Sequence, residues 1–441
     1  MRQDKFIFKR FYQILVLFLL LPLGCVPNSN LRRTALSSIA VSPFKVITNF
    51  SGITNDQATA MTLQSDGKIL VAGVSNIGGS FDFALVRHNT DGSLDSSFGT
   101  SGKVTTDIGT TSDDYVYAVA VQSDGKILVS GYSNRGGTYD FTLVRYGTTG
   151  SLDTTFGTGG KVTTDIGTSS FDSGNAITIQ SDGKILVGGS TDASGNYDFA
   201  VARYDSVGVL DPTFGTGGKV NTDISAASTD EVYAITVQSD GKILVSGYAN
   251  MAGGNNFAVV RYEANGTLDT TFNTTGKVTT DIGTNSSDFA TAMSLQSDGK
   301  ILVSGTSNSS GSFDFTIVRY AVNGSLDTTF NTTGKVTTAL GTASDDQATG
   351  LKLLSDGKII LGGYSNGGGS YDFALARYNS NGSLDTTFGT SGIVKTDIGT
   401  ASVDYGNAIA IQSDGNILMC GYTNSAGSND FVLLQKTAAG L

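Results

Sequence analysis

The stretch Gln122-Ser123-Asp124-Gly125-Lys126-Ile127-Leu128-Val129 returns along the chain with small changes and constant spacing. Its aspartate recurs as Asp66, Asp124, Asp182, Asp240, Asp298, Asp356 and Asp414, seven copies 58 residues apart with no insertion or deletion. A period of this length means one supersecondary unit stacked on copies of itself, each burying the hydrophobic face of the next. Ser-Asp-Gly-Lys is a tight hairpin turn, in which Gly supplies the positive backbone angle and Asp tolerates it. Around it, segments rich in Val, Ile, Leu, Thr and Tyr alternate with Gly, Ser, Asn and Asp, the strand-and-turn signal at short regular spacing.

Four strands per unit are predicted, in the first unit over 60–64, 68–75, 83–88 and 103–108. The first alternates a small residue (Ala60, Ala118, Ala176, Ala234, Ala292, Gly350, Ala408) with a larger one (Met61, Val119, Ile177, Ile235, Met293, Leu351, Ile409). The second carries a glycine in every copy, Gly73 through Gly421, as expected where neighbouring sheets approach closely. Four-stranded sheets arranged radially with both faces buried make a β-propeller. The ends point to closure. The last unit stops after its third strand, 431–436, while 45–50 stand one period before 103–108 with nothing of their own unit ahead of them. The N-terminal strand is therefore expected to complete the seventh blade, removing the exposed edges. The fold class read from the chain is all-β, a seven-bladed propeller of antiparallel four-stranded blades.

The units also resemble the delta-60 repeat proteins, a bacterial family. Its pattern is carried by residues 122–129, by Asp140-Phe141-Thr142-Leu143-Val144-Arg145-Tyr146 and by Gly150-Ser151-Leu152-Asp153-Thr154-Thr155-Phe156-Gly157. The resemblance implies a seven-bladed propeller and brings no activity with it. The chain contains no Trp, unlike propellers built on Trp-Asp repeats.

Arg2, Lys5, Lys9 and Arg10 precede an apolar run over 11–23, too short to span a bilayer as a helix and typical of a signal peptide. Leu21-Pro22-Leu23-Gly24-Cys25 resembles a permissive bacterial lipobox, with Pro22 where leucine is usual. The expected domains are a signal peptide at 1–24, a lipidated Cys25 and tether at 25–44, and a propeller over 45–441. Acyl chains on Cys25 would hold the protein to a membrane of the bacterial envelope, at about 0.8 kcal/mol per buried methylene. Without residues 1–24 the chain has 24 Lys plus Arg against 38 Asp plus Glu, a net charge of −14, which disfavours nucleic acid and anionic lipid as partners.

Each unit carries an aspartate just before its first strand: Asp56, Asp114, Asp172, Asp230, Asp288, Asp346 and Asp404. These could ring one mouth of the channel and collect a cation, or could satisfy backbone N–H groups, the reading favoured here. The repeated arginines (Arg87, Arg145, Arg203, Arg261, Arg319, Arg377) are expected to pair between blades with the aspartates opening strand three, such as Asp82 and Asp140. Linker aspartates such as Asp95, three residues before a Phe, read as turns that pin the ring against the core.

Function should break the sevenfold symmetry. The residues after the channel-mouth aspartates vary most, as do Ile77, Arg135, Ala193, Met251, Ser309, Gly367 and Ser425 after strand two. Gln57, Tyr115, Tyr117, Glu231, Tyr233, Phe289 and Tyr405 would place aromatics and one extra carboxylate around the channel, suited to a sugar or peptide. One His, His88, and one further Cys, Cys420, cannot assemble a Ser-His-Asp set or a metal-ligand cluster. The chain is therefore expected to be a non-enzymatic, membrane-anchored binding scaffold for a protein or glycan. It is expected to act without cofactor and as a monomer. A glycosidase or lyase using carboxylates on the same face, and a purely structural envelope protein, are the alternatives.

Overall fold

The computed structural model describes residues 43–226 and 228–441. The signal segment, the lipidation expected at Cys25 and the tether as far as residue 42 lie outside the described residues. No helix among the described residues is long and apolar enough to cross a membrane.

Twenty-eight strands form seven antiparallel four-stranded sheets. In the first blade the strands are Asp56–Leu63, Ile69–Ser75, Asp82–His88 and Lys103–Thr106, paired in sequence order. Each first strand thus begins four residues earlier than the apolar pattern indicates, at the aspartate itself. The fourth is short because two of the six predicted residues already turn towards the next blade. Apolar side chains of strands two and three are buried almost without exception, and the core is a series of clusters that each join two neighbouring blades.

The ring closes at the seam. Lys45–Thr48 pairs with Asp430–Lys436 in the register Lys45 to Leu434 through Thr48 to Phe431. The seventh sheet is therefore made from both ends of the chain. Phe44 takes part as well: its carbonyl accepts from the Gln435 N–H at 2.8 Å, and its ring lies against Gly92. In the other blades the linker phenylalanine holds that place, as Phe98 does against Gly150 and Phe156 against Gly208. At the seam Phe44 holds the corresponding place against Gly92.

One irregularity repeats in every first strand. A bulge falls between residues 58 and 60, and at the same place in the six other blades. It explains the glycine of strand two differently from the expectation. A Cβ on Gly73 would come within 2.0 Å of the Gln57 carbonyl oxygen, and one on Gly247 within 1.7 Å of that of Glu231. The crowding comes from the bulged strand of the same sheet, not from the next blade.

The repeated arginine also finds a different partner. Arg261 Nε meets Asp269 Oδ2 at 2.6 Å, its Nη1 donates to the Val322 carbonyl of the next blade at 2.6 Å, and its guanidinium lies 4.6 Å from the Phe272 ring centroid. The arrangement recurs with Arg87 and Asp95, and with Arg377 and Asp385. The arginine thus pairs with the linker aspartate of its own blade and reaches the next blade through a carbonyl. Asp82 and its equivalents are left for another role.

Candidate functional site

The bulged residues are Thr59, Tyr117, Asn175, Tyr233, Thr291, Thr349 and Asn407, all of which line the central channel. A bulge turns its extra side chain out of the ladder. Five of these side chains donate to a backbone carbonyl of the next blade: Thr59 to Val116 (2.7 Å), Asn175 to Val232 (2.9 Å), Thr291 to Ala348 (2.6 Å), Thr349 to Gly406 (2.8 Å) and Asn407 to Ala58 (2.8 Å). They form a polar belt around the channel. Tyr117 and Tyr233 interrupt it. Their hydroxyls engage Tyr132 Oη (3.4 Å) and Glu231 Oε2 (2.7 Å) instead.

The two interruptions flank blade three, whose residues at the corresponding places are small. Between them lies a recess of about 180 Å³ lined by Tyr117, Tyr132, Phe171, Ser173, Asn175, Tyr197, Glu231 and Tyr233. Ser173 occupies the position that is Tyr115 in blade two and Glu231 in blade four, so the opening exists because blade three carries a hydroxymethyl where its neighbours carry long side chains. The walls are aromatic. Tyr132 packs against Tyr115, Tyr117, Tyr139 and Phe171, and Phe171 against Tyr139 and Tyr197, with centroid separations of 4.6 to 6.1 Å. Such contacts fix the rings in place.

Burial, with the neighbouring Tyr117 second, pushes the Tyr132 phenol well above its usual range. Burial and then the adjacent Glu231 carboxylate do the same for Tyr233. Tyr197 is raised by burial, then by Asp192 and Glu231. All three phenols remain protonated donors at physiological pH. Glu231, held by the Tyr233 hydroxyl, is the single carboxylate among the lining residues.

Of the residues singled out from the sequence, Tyr117, Glu231 and Tyr233 meet at this recess, and Tyr115 buttresses it through Tyr132. Phe289 packs one blade further on, against Tyr248 and Phe313. Tyr405 belongs to a separate cluster with Tyr364, Tyr371 and Tyr422, and Gln57 lines the channel near blade one. Position 57 and its equivalents lie inside the first strand, not in a loop before it. Sequence reading missed Tyr132, Phe171 and Tyr197, which come from strand two and two connecting loops. Lys352 was also missed. It is the only positively charged residue among those lining the channel, and its side chain is exposed there.

The seven aspartates read as a possible ring do not line the channel. They are wholly buried between blades, and Oδ2 accepts a backbone N–H six residues upstream, as in Phe50 to Asp56 and Ile108 to Asp114, both 2.8 Å. Cys420 is buried and free, and burial raises its thiol far above the usual range. His88 is buried with Nδ1 at 2.9 Å from the Gly92 carbonyl.

A search of curated sequences finds no match. Among solved structures, the chain is similar to a protein of unknown function from Dyadobacter fermentans (12% identity, 89% of this chain and 97% of that one, TM-score 0.43). It is also similar to the polysaccharide lyase Uly1 (11%, 86% and 90%, 0.47) and to YCF48 bound to a D1 peptide (11%, 91% and 99%, 0.45). At these values the likeness bears on no individual residue. A family model described as a domain of unknown function (DUF5122) beta-propeller matches residues 64–98, 122–156, 180–214, 238–272, 296–330 and 354–388. Each match runs from the hairpin turn to the linker phenylalanine, so that six of the seven blades are similar to this model.

Proposed function

We propose that this protein is a non-enzymatic binding scaffold, held to the bacterial envelope through Cys25, that takes one sugar residue of a glycan in the recess above blade three. The observation that carries the reading is the composition of that recess. Five aromatic rings surround Ser173, Asn175 and Glu231. A sugar ring offers C–H faces to aromatic planes and hydroxyls to such polar groups, and apolar walls with a few convergent polar atoms define a small-molecule site. At about 180 Å³ the space suits a single ring with the rest of the chain outside, because whole drug-sized ligands occupy about 300 Å³ or more.

Hydrolytic chemistry on a glycan ordinarily needs two carboxyl groups flanking the bond. A lone Glu231 already engaged by Tyr233 supports recognition over cleavage. The test is a glycan array followed by calorimetric titration of any binding sugar to the native protein and to Phe171→Ala and Glu231→Gln. The reading expects at least a tenfold loss of affinity in both variants. It fails if no glycan is retained, or if the variants bind as the native protein does.

A further inference from the structure

The seven blade junctions are not chemically equal. At four of them three aspartates converge: one opens strand three, one follows strand four, and one opens the first strand of the next blade. The sets are Asp82, Asp107 and Asp114; Asp140, Asp165 and Asp172; Asp198, Asp223 and Asp230; and Asp372, Asp397 and Asp404. In each set one carboxylate oxygen per residue lies within 4.8 Å of the others. The remaining junctions lack one member, replaced by Asn49, Asn256 or Ala339.

The seam junction shows where the strand-three carboxylate points. There Asn49 stands in the place of Asp107, and its Nδ2 donates to Oδ1 of Asp430, the equivalent of Asp82, at 2.6 Å. In the first blade Asp82 is 7% exposed and the same oxygen, Oδ1, has no hydrogen-bond partner. It is therefore a buried acceptor aimed at Asp107, where the seam supplies a donor and this junction supplies a second carboxylate. Oδ1 of Asp140 and of Asp372 is likewise unpartnered. Lys161, whose ammonium acts on Asp82, donates to the Asp107 backbone carbonyl.

We propose that these junctions are divalent-cation sites, with calcium as the fitting ion, in which three carboxylates from two adjacent blades clamp the blades together. Calcium binds oxygen at about 2.3–2.6 Å, so two ligand oxygens of one ion lie at most about 5 Å apart, a limit these clusters meet. The third carboxylate, such as Asp107 or Asp165, is exposed, leaving a side open for the water molecules that complete a shell of six to eight oxygens. An ion there satisfies the orphaned oxygen and offsets the like-charge repulsion. Around Asp82 that repulsion comes from Asp107, Asp114 and Asp113, with Lys161 opposing it.

The test is calcium titration of the metal-stripped full chain by calorimetry at pH 7.5, with melting temperature measured alongside. The expected result is several equivalents of bound calcium and a melting temperature raised by several degrees. The comparison is a variant combining Asp107→Asn, Asp165→Asn, Asp223→Asn and Asp397→Asn, which copies the Asn49 arrangement. It should melt no lower than the calcium-free native protein and show no response to calcium. Should that variant not fold, Asp107→Asn alone should lose one equivalent. Absence of calcium binding by the native chain, or binding unchanged in the asparagine variants, overturns the proposal. A response to magnesium equal to that for calcium overturns the choice of ion.

Discussion

The side-chain amide of Asn49 donates to Oδ1 of Asp430 at 2.6 Å, joining two residues 381 positions apart in the chain. The contact sits at the seam, where strand Lys45–Thr48 and strand Asp430–Lys436 are held by pairing instead of by continuous chain. Separation of blade seven from blade one exposes two sheet faces and an unpaired edge, so the whole molecule depends on this seam.

Two substitutions measure it. Gln435 donates to the carbonyl of Phe44, and hydrogen-bonded pairs alternate in an antiparallel ladder, so the pair Val46 and Leu433 is hydrogen-bonded too. Val46→Pro removes that donor and leaves the facing carbonyl without its partner, at a cost of about 1–3 kcal/mol. Phe44→Ala removes the ring against Gly92, at about 2 kcal/mol for a partly buried phenylalanine. Chemical denaturation should show both losses, whereas Ile47→Ala, at an exposed position, should change stability little.

The repeated arginine pair is a buried ionic lock. Asp269 and Arg261 have side chains 1% and 5% exposed, and removing one partner of such a pair leaves the other uncompensated, at about 3–5 kcal/mol. Asp269→Ala is expected to destabilise by that amount. Asp66→Ala, which removes an exposed ion pair with Lys68 at 3.8 Å, should stay below about 1 kcal/mol. Equal effects in urea denaturation would contradict the assignment.

Two groups of aspartates titrate in opposite senses. Burial alone would raise the Asp269 carboxyl, but hydrogen bonds from Lys242, Thr271 and Arg261 outweigh it and hold the group well below its usual range. Its contribution is therefore present above about pH 4 and lost as the pH falls further. Asp82, Asp140 and Asp230 are pushed up to about 6, chiefly by burial and secondarily by neighbouring aspartates. Their contribution is full below about pH 4 and is lost as the pH rises through about 6. In calcium-free buffer the melting temperature should peak between about pH 4 and 6. A steady rise from pH 5 to 8 would count against the junction geometry.

His88 marks a gap in another repeated contact. Tyr146, Tyr204, Tyr262 and Tyr320 each donate their hydroxyl to a threonine on the outer strand of the preceding blade, for example Tyr146 to Thr106 at 2.8 Å. His88 occupies the tyrosine position opposite Thr48 and bonds Gly92 instead. Burial lowers its pKa, so its contribution declines as the pH falls below about 6.5. His88→Tyr should restore the contact across the seam, adding about 1 kcal/mol at pH 7, with a larger gain at pH 5.5. A melting temperature unchanged at both pH values would contradict this.

How far the fold is legible in the chain follows from what the repeat encodes. The period of the Ser-Asp-Gly turn and the displaced segment 45–50 suffice for seven closed blades, because each follows from spacing alone. The bulge does not announce itself: its trace is the glycine at position 73 and its equivalents, whose constraint is a carbonyl of the neighbouring strand. The partner of Arg261 is not legible because both aspartate series keep the same spacing, and only the turn geometry brings Asp269 to the guanidinium. The candidate site is legible in part. Tyr117, Glu231 and Tyr233 break the repeat visibly, whereas Phe171 and Tyr197 become neighbours only when two loops meet over blade three.

The recess depends on one small residue, and filling it is the most direct test. Ser173→Tyr installs the side chain that blades two and seven carry at the same position, so the repeat accommodates it and the melting temperature should hold. With the space between Tyr117 and Tyr233 occupied, titration with a glycan bound by the native protein should show at least a tenfold loss of affinity. Undiminished binding by a correctly folded Ser173→Tyr protein would contradict the assignment of this recess as the binding site.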